Sequence, residues 1–150
     1  MSGLADIITT VSGIAGSVPG VAKVYPMPSA FVSQAETPAV VVYTAGGPAD
    51  FTALGLNRYR HEVRLLLLTA PLQADLDVKP LAERTAGLVT ALIEAFAARM
   101  GLGRTQGDWW VDFSAVRYDG PKQVEYGGVQ WAGAEIFLPI LEFLITPVGV

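Results

Sequence analysis

The sequence predicts an α+β fold: a mixed or antiparallel sheet of about four to five strands, with an N-terminal helix and one long amphipathic helix packed on one face. Three observations carry this. Asp77 to Met100 repeats apolar residues at helical spacing. Runs with strand-like alternation lie on both sides of it. The order helix, strand, strand, strand, long helix, strand, strand then places a long crossover between the third and fourth strands. No linker, repeat or low-complexity tail divides the chain, so residues 1–150 read as a single domain.

Leu4 to Ala15 is the first helix, with Leu4, Ile7, Ile8, Val11 and Ile14 on one face. Ser2 is its candidate N-cap and Gly16 its stop. Val18-Pro-Gly turns the chain into a short strand, Val21 to Tyr25, which Pro26 and Pro28 end. Thr37-Pro38 opens Ala39 to Thr44, a Val-rich run that reads as a buried strand. Ala45-Gly-Gly-Pro begins a loop to about Leu56. Asn57 to Leu68 is a long strand with Tyr59, His61, Val63, Leu65 and Leu67 on one face and Arg58, Arg60, Glu62 and Arg64 on the other. Its end, Leu65 to Leu68, is apolar on both faces and should be covered on both sides.

Pro71 ends that strand, and Asp77 is placed to cap the long helix, with Pro80 in its first turn. Leu81, Thr85, Leu88, Val89, Leu92, Ile93, Phe96 and Met100 form its apolar stripe, and Gly101 closes it. Trp109 to Tyr118 alternates as a strand, and Asp119-Gly-Pro reads as a turn. Gly127-Gly128 closes either a tight hairpin or a longer excursion. Trp131 to Ile145 is a last, very long strand, in which Pro139 points to an edge or bulge position.

Composition narrows the function. Hydrophobic residues make up 51% of the 150 residues and charged residues 16%, with mean hydropathy +0.42. Soluble chains average roughly a quarter charged. Such a chain belongs in a membrane or covers apolar surface with partners. The uncharged stretch Ile7 to Ala22 is broken by Gly13, Gly16, Pro19 and Gly20, whereas a spanning helix needs about 20 mostly apolar residues. No Lys or Arg precedes Lys23, so a basic signal start is missing. A soluble oligomer or assembly subunit is the expectation. A net charge of −4 argues against nucleic-acid recognition; it suits a wall that DNA slides past, and ordinary solubility explains it as well. The absence of cysteine excludes disulfides, thiol catalysis and zinc–thiolate sites.

The search for chemistry finds little. His61, the single histidine, reads as a sheet residue with one polar contact, because no Ser or Cys motif accompanies it. Ala45-Gly-Gly-Pro-Ala lacks the Gly-Lys-Ser/Thr end of a phosphate loop. Gly101, Gly103 and Gly107 follow a helix, not a strand, and form no dinucleotide fingerprint. Asp75, Asp77, Asp108, Asp112 and Asp119 are scattered. No catalytic, cofactor-binding or metal-ligating residue is therefore expected. Arg58, Arg60, Glu62 and Arg64 form either a solvated strand face or a charged assembly surface. Trp109 and Trp110 point to opposite faces of a strand, so one should lie outside the core, where interfaces favour Trp. These six residues are the candidate assembly interface.

At this point the chain resembles a known family. An opening helix is followed by Gly20-Val-Ala-Lys-Val-Tyr-Pro26, then by Thr37-Pro-Ala-Val-Val-Val42 before a loop. Tyr59-Arg-His-Glu-Val-Arg-Leu65 precedes the long helix, and Tyr126-Gly-Gly-Val-Gln-Trp131 through Leu138 closes the pattern. Together they resemble the tail terminator (tail completion) proteins of long-tailed bacteriophages and phage-like particles, across nearly the whole chain as an order of elements. The resemblance implies a virion protein, assembled in the host cytoplasm, that forms a hexameric homo-oligomeric ring. It would cap the tail tube protein, stop tube polymerisation, and offer a platform for the head–tail connector protein, with DNA passing through the centre and no membrane contact. It transfers no catalytic residues. The loop Ala45 to Leu56 would order on docking.

Three other readings stay open. One is a head–tail connector or other neck protein. Another is a small-molecule-binding or enzymatic α+β dimer, which would need a pocket with convergent polar groups. The last is an adaptor that binds a peptide along a sheet edge.

Overall fold

In the computed structural model, residues 3–29, 31–51, 55–73, 77–99, 105–106, 109–113 and 115–145 are described. The chain runs α1 (Leu4–Gly16), β1 (Lys23–Tyr25), β2 (Ala39–Thr44), β3 (Ala49–Phe51), β4 (Leu56–Pro71), α2 (Val78–Ala97), β5 (Thr105–Gln106), β6 (Trp109–Asp112), β7 (Arg117–Tyr126) and β8 (Val129–Ile145). It is an α+β chain with one eight-stranded mixed sheet. Strands β1 and β2 are parallel and the other recorded pairs are antiparallel.

Strands β4 and β8 form the spine, in register from Leu56 opposite Ile145 to Pro71 opposite Trp131. Each is flanked by two shorter strands laid end to end. Along β4, β2 pairs with Val63–Leu68 and β3 with Asn57–Tyr59. Along β8, β7 pairs with Val129–Phe137 and β6 with Leu141–Leu144. The strands read from sequence correspond to β1, β2, β4, β6 with the start of β7, and β8; the two that were not read, β3 and β5, are three and two residues long.

Both helices lie on one face. Ile7, Val11, Ile14 and Ala15 of α1 and Leu88, Val89, Leu92 and Phe96 of α2 pack on Val40, Val42, Val63, Leu65, Leu67, Ile136, Leu138 and Ile140. Alternation along each strand puts these sheet residues on the same side. Asp77 caps α2 as expected, its Oδ1 accepting from the Lys79 N–H at 3.2 Å. Ser2, Met100 and Gly101 lie outside the described residues; the α1 N-cap position is Gly3, without a side-chain cap, and the helix runs through Gly16 to a cap at Ser17. Leu4, expected on the buried face, is exposed because α1 meets the sheet only from Ile7 onward.

On the opposite face, the segment after β1 crosses the upper half of the sheet. Val32 is buried there with Ala39, Val41, Leu66, Leu68, Val124 and Trp131. The Tyr126 hydroxyl donates to the Ser29 carbonyl at 2.5 Å and accepts from the Ser29 N–H at 2.8 Å. The Tyr25 hydroxyl donates to the Glu36 carboxylate. Leu65 to Leu68 are thus covered on both sides, as their sequence requires.

Three expectations are corrected. The loop after Thr44 contains β3, whose three exposed residues carry no alternation of their own. Trp109 to Tyr118 divides into β6 and β7 instead of forming one strand. Asp119-Gly-Pro is not a turn: it is a bulge within β7, where the pairing with β8 skips from Asp119 to Lys122. Pro139, read as an edge or bulge position, sits opposite Glu62 where β8 has a recorded partner strand on one side only. It is tolerated because it falls between the β8 stretches that pair with β7 and with β6, so no strand on that side asks for its missing N–H. Gly127 and Gly128, with φ of 61° and 78°, settle the other choice as a two-residue hairpin turn.

Candidate assembly interface

The helix-side core ends before the spine does. From Leu56 to Glu62 no residue of β4 is buried, and burial begins at Val63. The lower halves of β4 and β8 form an arm in which β4 has no buried residue, while on β8 Ile140 and Glu142 stay buried on the helix side. The strap that covers the upper half of the face opposite the helices has its buried contacts only there. Among the described residues, no buried cluster lies on the lower half of that face, the open face of the arm.

The sequence-predicted row Arg58, Arg60, Glu62 and Arg64 lies on this open face. Register places Arg58 opposite Phe143, Arg60 opposite Leu141, Glu62 opposite Pro139 and Arg64 opposite Phe137. The face is thus a cationic row on β4 beside an apolar row on β8, continuing to Leu56 opposite Ile145. Ile145 is 42% exposed and Leu56 36%. The β8 row was missed from sequence because that strand is apolar at nearly every position, and period two then cannot say which face is covered. Pairing the two long strands in antiparallel register would have set the arginines against it.

The cations are held differently. Arg58 makes an ion pair with Asp50 of β3 at 3.0 Å. Arg64 and Arg117 flank one ring: Phe137 pairs with Arg64 on one side and Arg117 on the other. Their guanidinium carbons lie 5.2 and 4.1 Å from its centroid, a doubled cation–π contact. On that face Lys122 Nζ engages two carboxylates, Asp119 at 2.7 Å and Glu135 at 3.1 Å, while Glu62 stands in the row between Arg60 and Arg64. The Asp119 hydrogen bond, with Glu135 after it, raises the Lys122 pKa above its ordinary value against the opposing pull of burial. Arg60, Arg64 and Arg117 have no ion-pair partner among the described residues.

On the helix side of the arm, His61 Nε2 lies 2.9 Å from Glu142 Oε1, and its ring stacks on Tyr59 at 6.1 Å and 5°. Glu142 is buried, so this pair lets a carboxylate sit between strands and fastens β4 to β8 where the core ends. His61 is thus a sheet histidine with a polar partner.

Trp109 and Trp110 are on β6, paired with Leu144 and Phe143, which puts their backbone beside the apolar row; their side chains lie outside the described residues. Asp75 and Asp108 also lie outside them. Asp112 is exposed on β6 and Asp119 is taken by Lys122. Among the described residues no three of His, Asp and Glu converge on a metal position, and no helix is long and apolar enough to cross a membrane. Residues 45–48, expected to order on docking, are already tied to β4. The Ala45 N–H donates to the Glu62 carbonyl, the Glu62 N–H to Gly46 and the Arg60 N–H to Pro48, each at 2.9 Å.

Compared with known proteins, the chain matches no family model and no curated sequence.

Proposed function

We propose that this chain is a structural subunit of a ring that caps a phage-type tail tube, ends its polymerisation and offers the platform for head–tail joining, with DNA passing through the centre. The observation that carries the proposal is the open face of the β4–β8 arm. An apolar row from Phe137 to Ile145 lies beside an arginine row, on a chain with 16% charged residues. A lone subunit leaves this face in water, and a neighbour covers it at a gain of about 25 cal/mol per Å² of apolar surface. The order of elements shared with tail terminator proteins supplies the biological setting. In this reading no residue carries catalysis. Function is interface matching: rotational symmetry closes the ring, and its two ends suit different partners, the tube protein and the connector.

Light scattering and negative-stain microscopy on the purified chain, alone and mixed with tail tubes, test this. The expected result is rings, free or seated at tube ends. A chain that stays monomeric and leaves tube ends bare overturns the proposal.

A further inference from the structure

The ring reading does not say which surface of the next subunit meets the open face. We infer that it is the outer stripe of α2 of a second copy, with Glu83 and Glu94 reaching the unpaired guanidiniums of Arg60, Arg64 and Arg117. The inference rests on that reading and on three observations.

The first is charge. The chain carries 14 acidic and 10 basic residues. Four of the seven arginines (Arg58, Arg60, Arg64 and Arg117) are gathered on or beside the open face. Their local carboxylates are mostly used: Asp50 by Arg58, and Asp119 and Glu135 by Lys122. Glu62 stands in the row itself, between Arg60 and Arg64, but four arginines against it leave the face net cationic, and the acids of α2 lie elsewhere, so the chain carries a complementary region of its own. Two such different patches make a heterologous contact, the kind that closes into rings.

The second is the shape of α2. Its buried side is Leu81, Thr85, Leu88, Val89, Leu92 and Phe96. Opposite these, Glu83, Gly87, Thr90 and Glu94 fall at helical spacing, and all four are exposed. Neither glutamate has an ion-pair partner among the described residues. Between them the stripe is small: nothing stands within 4 Å of where a Cβ on Gly87 would be. A helix with a low centre can come close to a sheet, which is how an exposed sheet face is ordinarily covered.

The third is spacing. Glu83 and Glu94 are about 16 Å apart along the helix at 1.5 Å per residue. Arg60 and Arg64 are about 13 Å apart along β4 at roughly 3.3 Å per residue. Long side chains close that difference. Gly87 and Thr90, midway between the glutamates, then lie over the middle of the row at Pro139 and Glu62, where the stripe carries no charge of its own.

Charge reversal tests the pairing. Arg60→Glu with Arg64→Glu, and separately Glu83→Arg with Glu94→Arg, should each weaken self-association roughly tenfold or more, because each sets like charges against each other. The chain carrying all four substitutions should recover to within about threefold of the parent, because the pairs are restored with their sign exchanged. Sedimentation velocity over a concentration series reads the constants, and far-ultraviolet circular dichroism confirms that each variant is folded. Recovery in the fourfold variant supports the inference. Failure to recover, or reversed variants that assemble as the parent does, overturns this interface and leaves the ring reading standing. Reversed variants that self-associate normally but lose capture by tail tubes assign the face to the tube protein and also overturn it. A parent chain that does not self-associate overturns the inference, while tube binding still decides the ring reading.

Discussion

The hydroxyls of Thr69 and Thr85 lie 2.8 Å apart, joining the bulge of β4 to the buried side of α2. Thr85 Oγ1 is also 2.8 Å from the Leu81 carbonyl, which can only accept, so Thr85 gives its proton there and Thr69 donates to Thr85. Both threonines are buried. Thr85→Val should therefore cost about 1–3 kcal/mol, since it strands the Thr69 hydroxyl. Adding Thr69→Val should recover part of that loss, because neither polar group is then left unpaired. A double-mutant cycle by urea unfolding measures this, and strictly additive costs would show that the hydroxyls do not depend on each other.

Gly133 faces the same bulge from β8. A Cβ there would stand 2.0 Å from the Leu67 carbonyl oxygen, a backbone atom that cannot swing aside. Gly133→Ala should destabilise the chain by about 1–3 kcal/mol through overpacking. Gly13→Ala is the opposing control: the position is mid-helix in α1 with nothing within 4 Å, and it should gain about 0.5–1 kcal/mol. Thermal melts of the two variants should shift in opposite directions.

Where one periodicity held without competition, the sequence was legible. Strand β2 was read at its observed bounds, and the buried residues of α2 all belong to the stripe read from spacing. Legibility failed where pairing, not local pattern, decides the state. Residues 49–51 are a strand only because β4 runs past β2 and leaves backbone groups to pair. Asp119-Gly-Pro carries turn chemistry, yet β8 continues beneath it and holds the chain extended on both sides of a bulge. The arginine row was visible as alternation in β4. Its neighbours Phe137, Leu141 and Phe143 were not, because β8 carries apolar residues on both faces.

Leu92 is fully buried between α2 and the sheet. Leu92→Ala should cost about 2–5 kcal/mol by leaving a cavity that the flanking strands cannot close. The denaturant midpoint should fall with the slope unchanged. A loss well under the lower bound would mean that α2 can settle onto the sheet.

Alkaline pH should remove two surface ties. Tyr25 is raised above its ordinary 10.0, first by the hydrogen bond to Glu36, then by burial and by the charge of that carboxylate. Lys122 is raised above 10.5, chiefly by the hydrogen bond to Asp119. Both folded values exceed the unfolded ones, so their contributions are complete below the unfolded values and are lost as pH rises through the folded ones. Tyr25→Phe and Lys122→Met should therefore be less stable than the parent at about pH 8, and the gap should narrow by about pH 11. A gap that is constant across this range would show that neither tie depends on the proton.

Replacing Arg58, Arg60 and Arg64 together with Ser separates folding from assembly. Arg58 and Asp50 have side chains 42% and 52% exposed, and exposed pairs contribute about 0–1 kcal/mol. Arg64 adds a partly exposed contact with the Phe137 ring, worth about 0.5–1 kcal/mol. The triple variant should thus melt as a folded, cooperative domain only slightly below the parent. The core, from Val63 upward, has no arginine in it. Assembly should suffer more, because Ser neither covers the apolar row nor offers charge to a neighbour. Light scattering at matched concentration should show smaller species than the parent. Unchanged assembly would reduce the row to a solvated strand face and leave the apolar row of β8 as the surface to test next.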